Sequence, residues 1–506
     1  MKGTYWIVTL VFLCIQPGID RLEGQENNNS EFFEELDRYV EEAINEWHVP
    51  GLAIGIVKDT NVIYLKGYGF RDLEAKLPVD ENTLFPIASL TKAFTSCAFG
   101  QLVDEGKAGL DIPVKEYLPD FRMYDQYVTD HLTSRDILCH RSGLPRHDFV
   151  LTGRSLPLDE VYHILPYLQF SAGFRESFQY TNILYYVTGY MIGAITGQSW
   201  DKIISDQILR PLNMASTFFS IDDIAKTGNY SQPYSVNSGE VNDIPFTRND
   251  DCPAFGMISN VKDMANWLIM NLNNGKYRDK QIVSGDYLVQ AHSVQMAIPG
   301  PEPFPNPGES FTAGYGLGWY INVYRGHKVV RHSGQVNGFQ ADVYLLPNQS
   351  IGIVVLSNGQ TILPGSLCNE IADRLLGLES MDWSSFTYQR FTAALSYWLE
   401  NMAGRKDSIL NEQPSEDELK RYAGTYTHPA YGPLYISATD SILVVKKGTI
   451  EFRFGYKKPD IFTALNGEIQ GRTMKFHPDE NGQIEKLSIN LEWGIPESEF
   501  TWTGND

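Results

Sequence analysis

Apolar residues recur along the chain at two spacings, and long blocks of each spacing follow one another. Between residues 32 and 47 they lie three or four positions apart, which is typical of one face of an α-helix, and Pro50-Gly51 ends that pattern. Two apolar runs follow, 52–57 and 62–67, separated by the polar turn Lys58-Asp59-Thr60-Asn61. This arrangement predicts a helix that leads into an antiparallel hairpin.

Strand patterns return much later, at residues 327–332, 340–346 and 351–356, after a long stretch of mainly helical spacing. Strands from both ends of one large domain predict a single antiparallel sheet that is flanked by helices and interrupted by a helical insertion. Because the insertion can meet the edge of the sheet, we expect the functional cleft at that edge.

The last part of the chain has a different pattern. After predicted helices at 367–376 and 386–402, the polar stretch 404–418 is typical of a linker. The short strands predicted beyond it read AGTYTH, LYISA, ILVVKK, IEFRFG, DIFTAL, TMKFHP, IEKLSINLEW and EFTWTG. Such regular short strands predict a small up-and-down β-barrel or sandwich. The predicted fold class is α/β (α+β), with domains at 25–403 and 419–506.

The first residues favour export of the protein. Lys2 precedes an apolar run over residues 5–15, which suits a secretory signal peptide but falls short of the ~20 residues of a membrane span. We therefore predict a signal peptide at 1–24, cleaved between residues 18 and 25, no stable membrane anchor, and a secreted, extracellular protein. Three N-x-Ser sequons give the predicted glycosylation sites, which are Asn28, Asn229 and Asn348.

Charge and composition exclude some partners. The 506 residues carry a formal net charge of −21, whereas nucleic acid binding needs a basic face. The acidic residues are scattered, which favours solubility over binding of cations or a mineral. There is no His-Glu-x-x-His motif, and we predict no metal and no cofactor. Removal of the signal leaves four cysteines whose pairing stays open, with a buried free thiol expected for the first two: Cys97, Cys139, Cys252 and Cys368.

The first candidate for chemistry is the pair Ser89 and Lys92 in FPIASLTKAF. The same spacing occurs at Ser199 and at Ser259, where we expect the serine to cap a helix, so spacing alone is not specific. Ser89 differs because a broad apolar stripe follows it and ends near Gly106. At the first turn of that helix, an oxyanion would face free N–H groups, and a partly desolvated lysine could accept the serine proton.

A Tyr-x-Asn motif supplies partners for such a nucleophile. Tyr180 and Asn182 form Tyr-x-Asn ahead of a predicted helix at 183–195. We expect a nearby ammonium to lower the phenol pKa, so that Tyr180 serves as base and acid, and we expect the Asn182 amide to bind a substrate carbonyl. Tyr320-Ile321-Asn322 repeats the motif within an apparent strand and is the weaker candidate.

A strand edge is expected to complete the site. His332, Ser333 and Gly334 end one predicted strand, and Gln335 begins the turn to the next. Because glycine allows close approach of the backbone, the N–H of Gln335 and that of Ser89 are the predicted oxyanion hole. Lys226-Thr227-Gly228 competes for this role but lies in a loop-like region, and we treat it as a decoy.

These motifs, in this order, resemble the serine β-lactamase and penicillin-binding superfamily, and residues 32–380 resemble its class C β-lactamase-related group, which includes D-aminopeptidases and esterases. Supporting phrases are HVPGLAIGIV, LFPIASLTKAF, TSRDILCHRSGLP, ESFQYTNILYYVTGYMIGAITG, FGMISNVKDMANWL and YGLGWY. The tail from residue 422 is similar to the lipocalin-like domain appended to some members. The sequence is identified as a secreted metazoan member of this peptidase S12-like group.

The resemblance implies Ser89 as the acylated nucleophile, Lys92 and Tyr180 as general acid and base, and Asn182 as a substrate-orienting residue. His332 replaces a lysine of true β-lactamases, and a neutral imidazole binds a carboxylate less well. We therefore expect a hydrolase of small esters, amides or short peptides. The alternative is an extracellular matrix protein, such as a component of a biomineral shell, that reuses the fold. We expect the barrel to have a packed, ligand-free interior.

Overall fold

The computed structural model describes most of the chain. The described residues are 19–152, 156–237, 239–300, 308–379, 381–406, 414–467, 469–492 and 494–504, with side chains described from residue 31 onward except in 398–406. Residues 1–18, which hold most of the predicted signal peptide, lie outside these ranges. Within them, no helix combines the length and apolar character needed to cross a membrane.

The helices and strands of the described residues follow in chain order. The helices are α1 (Ile19–Glu46), α2 (Thr91–Asp104), α3 (Gln126–His131), α4 (Ser134–Leu138), α5 (Leu158–Ile164), α6 (Ile183–Thr196), α7 (Trp200–Ile204), α8 (Ile221–Ala225), α9 (Val261–Leu272), α10 (Gly285–Ala291), α11 (Leu363–Leu376), α12 (Trp383–Lys406) and α13 (Glu416–Leu419). The first group of strands is β1 (Gly51–Lys58), β2 (Asn61–Asp72), β3 (Leu77–Pro78), β4 (Phe85–Pro86), β5 (Tyr234–Asn237), β6 (Glu240–Asp243), β7 (Ile258–Ser259), β8 (Lys276–Tyr277), β9 (Lys280–Gln281), β10 (Met296–Ala297), β11 (Phe311–Tyr315), β12 (Tyr320–Tyr324), β13 (His327–Val336), β14 (Phe339–Leu346) and β15 (Ile351–Ser357). The second group is β16 (Gly424–His428), β17 (Gly432–Thr439), β18 (Ile442–Lys447), β19 (Ile450–Lys458), β20 (Ile461–Ala464), β21 (Thr473–Pro478), β22 (Ile484–Ile489) and β23 (Ser498–Gly504).

One antiparallel sheet joins the two ends of the large domain, as predicted. Its strand order is β10-β11-β12-β13-β14-β15-β1-β2-β3, and β1 pairs with β15 in the register Leu52↔Ser357. The β1–β2 turn places Asp59 and Thr60 at positive φ, which is the backbone form that matches the twist of a two-residue hairpin. The mixed α/β fold class predicted from the sequence is confirmed.

Strand β1 lies inside this sheet and is buried on both faces. Leu52, Ile54 and Ile56 pack into a core shared with α1 and α11, whereas Ala53 and Val57 pack into a core shared with α2 and α9. Because side chains alternate across a strand, a nearly continuous apolar run supplies both cores at once.

The second group of strands forms a closed eight-stranded barrel, in which the last strand, β23, pairs with the first strand, β16. Closure leaves this sheet without an exposed edge. Large buried side chains fill its interior, including Tyr426, Phe454, Phe462, Met474 and Leu487. The barrel contacts the large domain at the segment 146–152, which also borders the candidate site.

Several predicted boundaries differ from the structure. Helix α1 begins at Ile19 instead of near residue 32, because the spacing of apolar residues marks only the part of a helix that packs against a core. Helix α12 continues to Lys406, into the predicted linker. The short strands β10 and β11 were not predicted, because their sequences carry little periodicity.

The four cysteines among the described residues are buried free thiols, namely Cys97, Cys139, Cys252 and Cys368. Glycosylation at Asn229 stays a prediction. The side-chain nitrogen that would carry the glycan donates to both carboxylate oxygens of Asp80, at 3.0 and 3.1 Å. Asn348 is exposed in a turn after β14, whereas the side chain of Asn28 lies outside the described residues.

The contact that connects α2 to α9 gives a stability prediction. The buried rings of Phe94 and Trp267 stack with centroids 3.8 Å apart and join α2 to α9. Replacing Phe94 with Ala should lower the free energy of unfolding by about 3–5 kcal/mol, since the deletion leaves a cavity in a packed core. Urea unfolding measures the loss. Tyr397→Ala, at a side chain 71% exposed, is the control and should change stability little.

Candidate active site

Ser89 lies on a tight turn that presents it to the cleft. It is the middle residue of a 3-10 turn, Ala88–Leu90, that leads directly into α2. Ala88 is held at φ +47°, a conformation that costs energy for a residue with a side chain. Ser89 keeps partial exposure while Ala88 and Leu90 are buried, so a substrate can reach its hydroxyl.

Lys92 is completely buried one turn later and directs its amine at Ser89. Its Nζ donates to Ser89 Oγ at 3.1 Å, to Asn182 Oδ1 at 2.7 Å and to the Ala254 carbonyl at 2.9 Å. Burial lowers the pKa of Lys92 to about 7, an effect to which the Arg146 guanidinium adds and which the Asp148 carboxylate opposes. Burial therefore disfavours the ammonium form of Lys92, as expected, and a neutral amine is available near pH 7.

Tyr180 and Asn182 approach the same point from the start of α6, where Asn182 occupies the N-cap position. The Lys92 amine lies 4.9 Å from the centre of the Tyr180 ring. The expected lowering of the Tyr180 pKa is wrong: burial and the neighbouring Tyr320 raise it, while a side-chain hydrogen bond with Ser89 opposes the rise. Tyr180 is a neutral phenol at pH 7, and this suits a proton donor better than a base.

Two charged residues that the sequence did not single out belong to the site. The Asn182 side-chain nitrogen donates to Asp148 Oδ1 at 2.9 Å. The Arg146 guanidinium lies 5.2 Å from the centre of the Tyr180 ring, and its Nε donates to Asp148 Oδ2 at 2.7 Å. Neither residue stands in a periodic pattern, and the nearest signal was their place shortly after the phrase CHRSGLP.

Strand β13 forms the opposite wall of the cleft. At Gly334 a Cβ would lie 2.2 Å from the Ile87 carbonyl oxygen and 3.1 Å from the Ala88 Cβ, so only glycine lets the strand come this close to the nucleophile turn. Ser333 and the exposed Gln335 flank this contact. The predicted roles of these three residues stay predictions, and the close approach of the backbone is consistent with them.

His332 does not face the cleft as a substrate-binding group. It is 1% exposed, its Nδ1 donates to the Ser333 carbonyl at 2.6 Å, and its Nε2 accepts from the Tyr315 hydroxyl at 2.8 Å. Burial and the Lys92 charge lower the pKa of His332 to about 3, so the ring is neutral. Since both nitrogens are occupied, its role is to support the aromatic wall beside Tyr180, and the predicted contact with substrate is wrong.

The competing motifs lie in other settings. Lys226 is exposed and pairs with Asp223 at 2.7 Å, as suits a surface residue. Ser199 occupies the N-cap position of α7 without a side-chain cap hydrogen bond. Ser259 is not a cap: it ends β7 and hydrogen-bonds Thr217 at 2.8 Å, while the neighbouring Asn260 caps α9.

Both domains of the chain are similar to known protein families. A model of the Beta-lactamase family matches residues 36–376, and a model of a domain of unknown function (DUF3471) matches residues 411–505. Unguisins hydrolase ungD' of Aspergillus campestris is 28% identical over 81% of this chain and 79% of its own length. Protein flp of Staphylococcus aureus is 30% identical over 64% of this chain and 63% of its own length.

Solved structures give the same fold. The octameric penicillin-binding protein homologue from Pyrococcus abyssi covers 93% of this chain and 100% of its own, with a TM-score of 0.60 and 23% identity. At this identity the likeness concerns the fold alone, and it extends over both the sheet domain and the barrel.

The lowered pKa of Lys92 predicts how reactivity depends on pH. If the neutral amine accepts the Ser89 proton, the rate of acylation should rise with pH and have a midpoint at about pH 7, because protonated Lys92 cannot act as a base. The measurement is the rate at which a fluorophosphonate labels Ser89 between pH 5 and 9. A rate that is flat over this range, or that rises only near pH 10, would contradict the role of Lys92.

Proposed function

We propose that this chain, a serine hydrolase that belongs to the beta-lactamase family, acts on a small ester, amide or short peptide through an acyl-enzyme at Ser89. We also propose that it is secreted, as its N-terminal sequence predicts. The observation that carries the proposal is the Lys92 amine, which lies 3.1 Å from Ser89 Oγ and has a pKa lowered to about 7. This arrangement pairs a weak nucleophile with a base at the pH where the base is unprotonated.

The acylation step follows from these positions. The neutral Lys92 amine takes the proton of Ser89 Oγ while that oxygen bonds to the substrate carbonyl carbon. The carbonyl oxygen becomes an oxyanion, which the backbone N–H groups of Ser89 and Gln335 would stabilise. The bond to the leaving group then breaks, and the neutral phenol of Tyr180 supplies its proton, which Lys92 restores. Water then releases the acyl group: its oxygen bonds to the acyl carbon while its proton passes through the Tyr180 hydroxyl to the neutral Lys92 amine. When the bond to Ser89 Oγ breaks, Lys92 returns that proton to Ser89.

Two features bear on the substrate. The neutral, internally bonded His332 offers no charge to a substrate carboxylate, which supports esters and small amides over typical β-lactams. A small, partly open and mainly apolar pocket lies beside the turn from β13 to β14 and is lined by Phe246, Phe255, Met257, Val336 and Phe339, among others. The Ile87 N–H donates to the Met257 carbonyl at 3.0 Å, which ties this pocket to the nucleophile turn and supports an apolar group on the substrate.

The alternative, an extracellular matrix protein, rests on acidity and the predicted signal peptide. The described residues contain no group of three or more His, Cys, Asp or Glu side chains placed to hold a metal ion, so they lend this idea no further support. Retention of the Ser89→Ala protein on calcium carbonate crystals would favour the matrix role over hydrolysis.

The nucleophile is tested by substitution. Ser89→Ala should abolish turnover of a chromogenic ester and covalent labelling by a fluorophosphonate, because the attacking oxygen is removed. Ser199→Ala is the matched control: it lies in the same Ser-x-x-Lys spacing, is exposed, and makes no cap hydrogen bond, so activity should be retained. Labelling of the Ser89→Ala protein at the wild-type level would refute the proposal.

Secretion is tested by expressing the full chain in cultured eukaryotic cells. The protein should accumulate in the medium with a new N-terminus between residues 18 and 25, since the predicted cleavage site lies there. Mass spectrometry of the secreted protein gives the terminus. Retention of an intact Met1 inside the cells would count against a signal peptide.

A further inference from the structure

The barrel holds one segment of the large domain through three buried or partly buried contacts. The Tyr431 hydroxyl donates to His147 Nδ1 at 2.6 Å, and His147 Nε2 donates to the Gln169 carbonyl at 2.8 Å. Glu492 Oε1 accepts the Phe149 N–H at 2.7 Å, and Lys447 Nζ donates to the Thr152 carbonyl at 2.6 Å. Each contact therefore fixes the backbone or a side chain of the segment 146–152.

The conformation of this segment needs such support. Its regular structure consists of one 3-10 turn, Asp148–Val150, and His147 just before it adopts the left-handed conformation at φ +49°. A turn of three residues has too few internal hydrogen bonds to stabilise itself. Glu492 lies at the start of this turn, where burial and the nearby Asp148 carboxylate raise its pKa to about 7 while hydrogen bonds from the backbone N–H groups of Phe149 and Asp148 oppose the rise.

The same segment reaches the catalytic groups from its other side. Asp148 accepts from the Asn182 side-chain nitrogen at 2.9 Å, and the Asn182 oxygen accepts from Lys92 Nζ at 2.7 Å. These two bonds hold the Asn182 amide between a carboxylate and an amine, so its orientation depends on where Asp148 sits. The next bond in the series joins Lys92 to Ser89 at 3.1 Å.

From this connection we propose that Glu492, on the C-terminal barrel, is a positioning residue of the active site. It sets the backbone of the turn that carries Asp148, and Asp148 orients Asn182 and, through it, the Lys92 amine. The barrel is thereby part of the catalytic framework and not an independent appendage. This inference rests on the proposed hydrolase function, because it assigns a role within that site.

A displacement of Asp148 should change the pKa of Lys92 in a definite direction. Lys92 faces the Tyr180 ring, Cys252, the Asp148 carboxylate and the Arg146 guanidinium. Of these, Cys252 and Asp148 act to raise its pKa, whereas Arg146 acts to lower it. If the turn shifts so that Asp148 moves away while Arg146 stays over the Tyr180 ring, the Lys92 pKa falls further. The midpoint of the acid limb of the labelling rate should then move to lower pH.

The test uses the full chain with Glu492→Gln at pH 8.5, where the Glu492 carboxyl group is ionised, because the amide oxygen of Gln accepts the Phe149 N–H more weakly than a carboxylate oxygen does. We expect kcat for a chromogenic ester to fall about tenfold with KM within about twofold, because a small misplacement of catalytic groups mainly affects the transition state. Glu499→Gln is the matched control, since Glu499 lies on the barrel surface and pairs with Lys486 at 3.1 Å. It should behave as wild type in kcat, KM and pH midpoint.

A double-mutant cycle tests the route of the effect. If Glu492 acts through Asp148, the double variant Asp148→Asn with Glu492→Gln should be no slower than Asp148→Asn alone. Thermal unfolding of each variant separates misfolding from mispositioning, and Tyr431→Phe, which removes only the hydroxyl bonded to His147, should give a smaller loss in the same direction.

The outcomes separate this inference from the proposed function. A wild-type protein that is never labelled at Ser89 would refute the hydrolase function itself. A wild-type protein that is labelled, together with Glu492→Gln and Tyr431→Phe proteins that match it in kcat and pH midpoint, would refute the positioning role alone. Additive losses in the double variant would also overturn it, because Glu492 and Asp148 would then act separately.

Discussion

The site depends on a lysine amine that is buried without a carboxylate as its direct partner. Lys92 is fully enclosed, and its three hydrogen bonds go to a hydroxyl, an amide and a backbone carbonyl, all of them neutral. Enclosure disfavours the ammonium, whereas a directly paired carboxylate would stabilise it and remove the base. The neighbouring acid, Asp148, accepts a hydrogen bond from the other side of the Asn182 amide, so it orients that amide without forming an ion pair with the Lys92 amine.

The elements around Lys92 keep its amine enclosed. The sheet, α2 and α9 form a core around it, and Gly334 allows β13 to close against the turn that carries Ser89. Aromatic rings complete the wall: Tyr180 packs against the neutral ring of His140, with centroids 4.3 Å apart, and Tyr315 hydrogen-bonds His332. Because these imidazoles are buried and uncharged, they add no competing positive charge within the enclosure.

Periodicity and turn chemistry predicted most of the framework. The five long strands of the sheet, the helix after Ser89 and all eight strands of the barrel were found because their apolar residues repeat along one element. Ser89, Lys92, Tyr180 and Asn182 were found because each pair lies within one turn of chain. The sequence could not assign Asp148 or Glu492, since they meet the site through contacts between elements that are more than thirty residues apart. It also misjudged Tyr180, because burial, which outweighs the nearby cation, is a property of the assembled fold.

The pairing of β1 with β15 has a consequence for the biosynthesis of the protein. These strands are separated by roughly 300 residues, so at a translation rate of about 5–20 residues per second the first hairpin waits some tens of seconds for its neighbour to leave the ribosome. During that interval the nascent chain exposes an apolar strand with unpaired backbone groups. Newly made molecules therefore need a chaperone, or rapid packing of the first helix over the hairpin, to avoid intermolecular association before the sheet is complete.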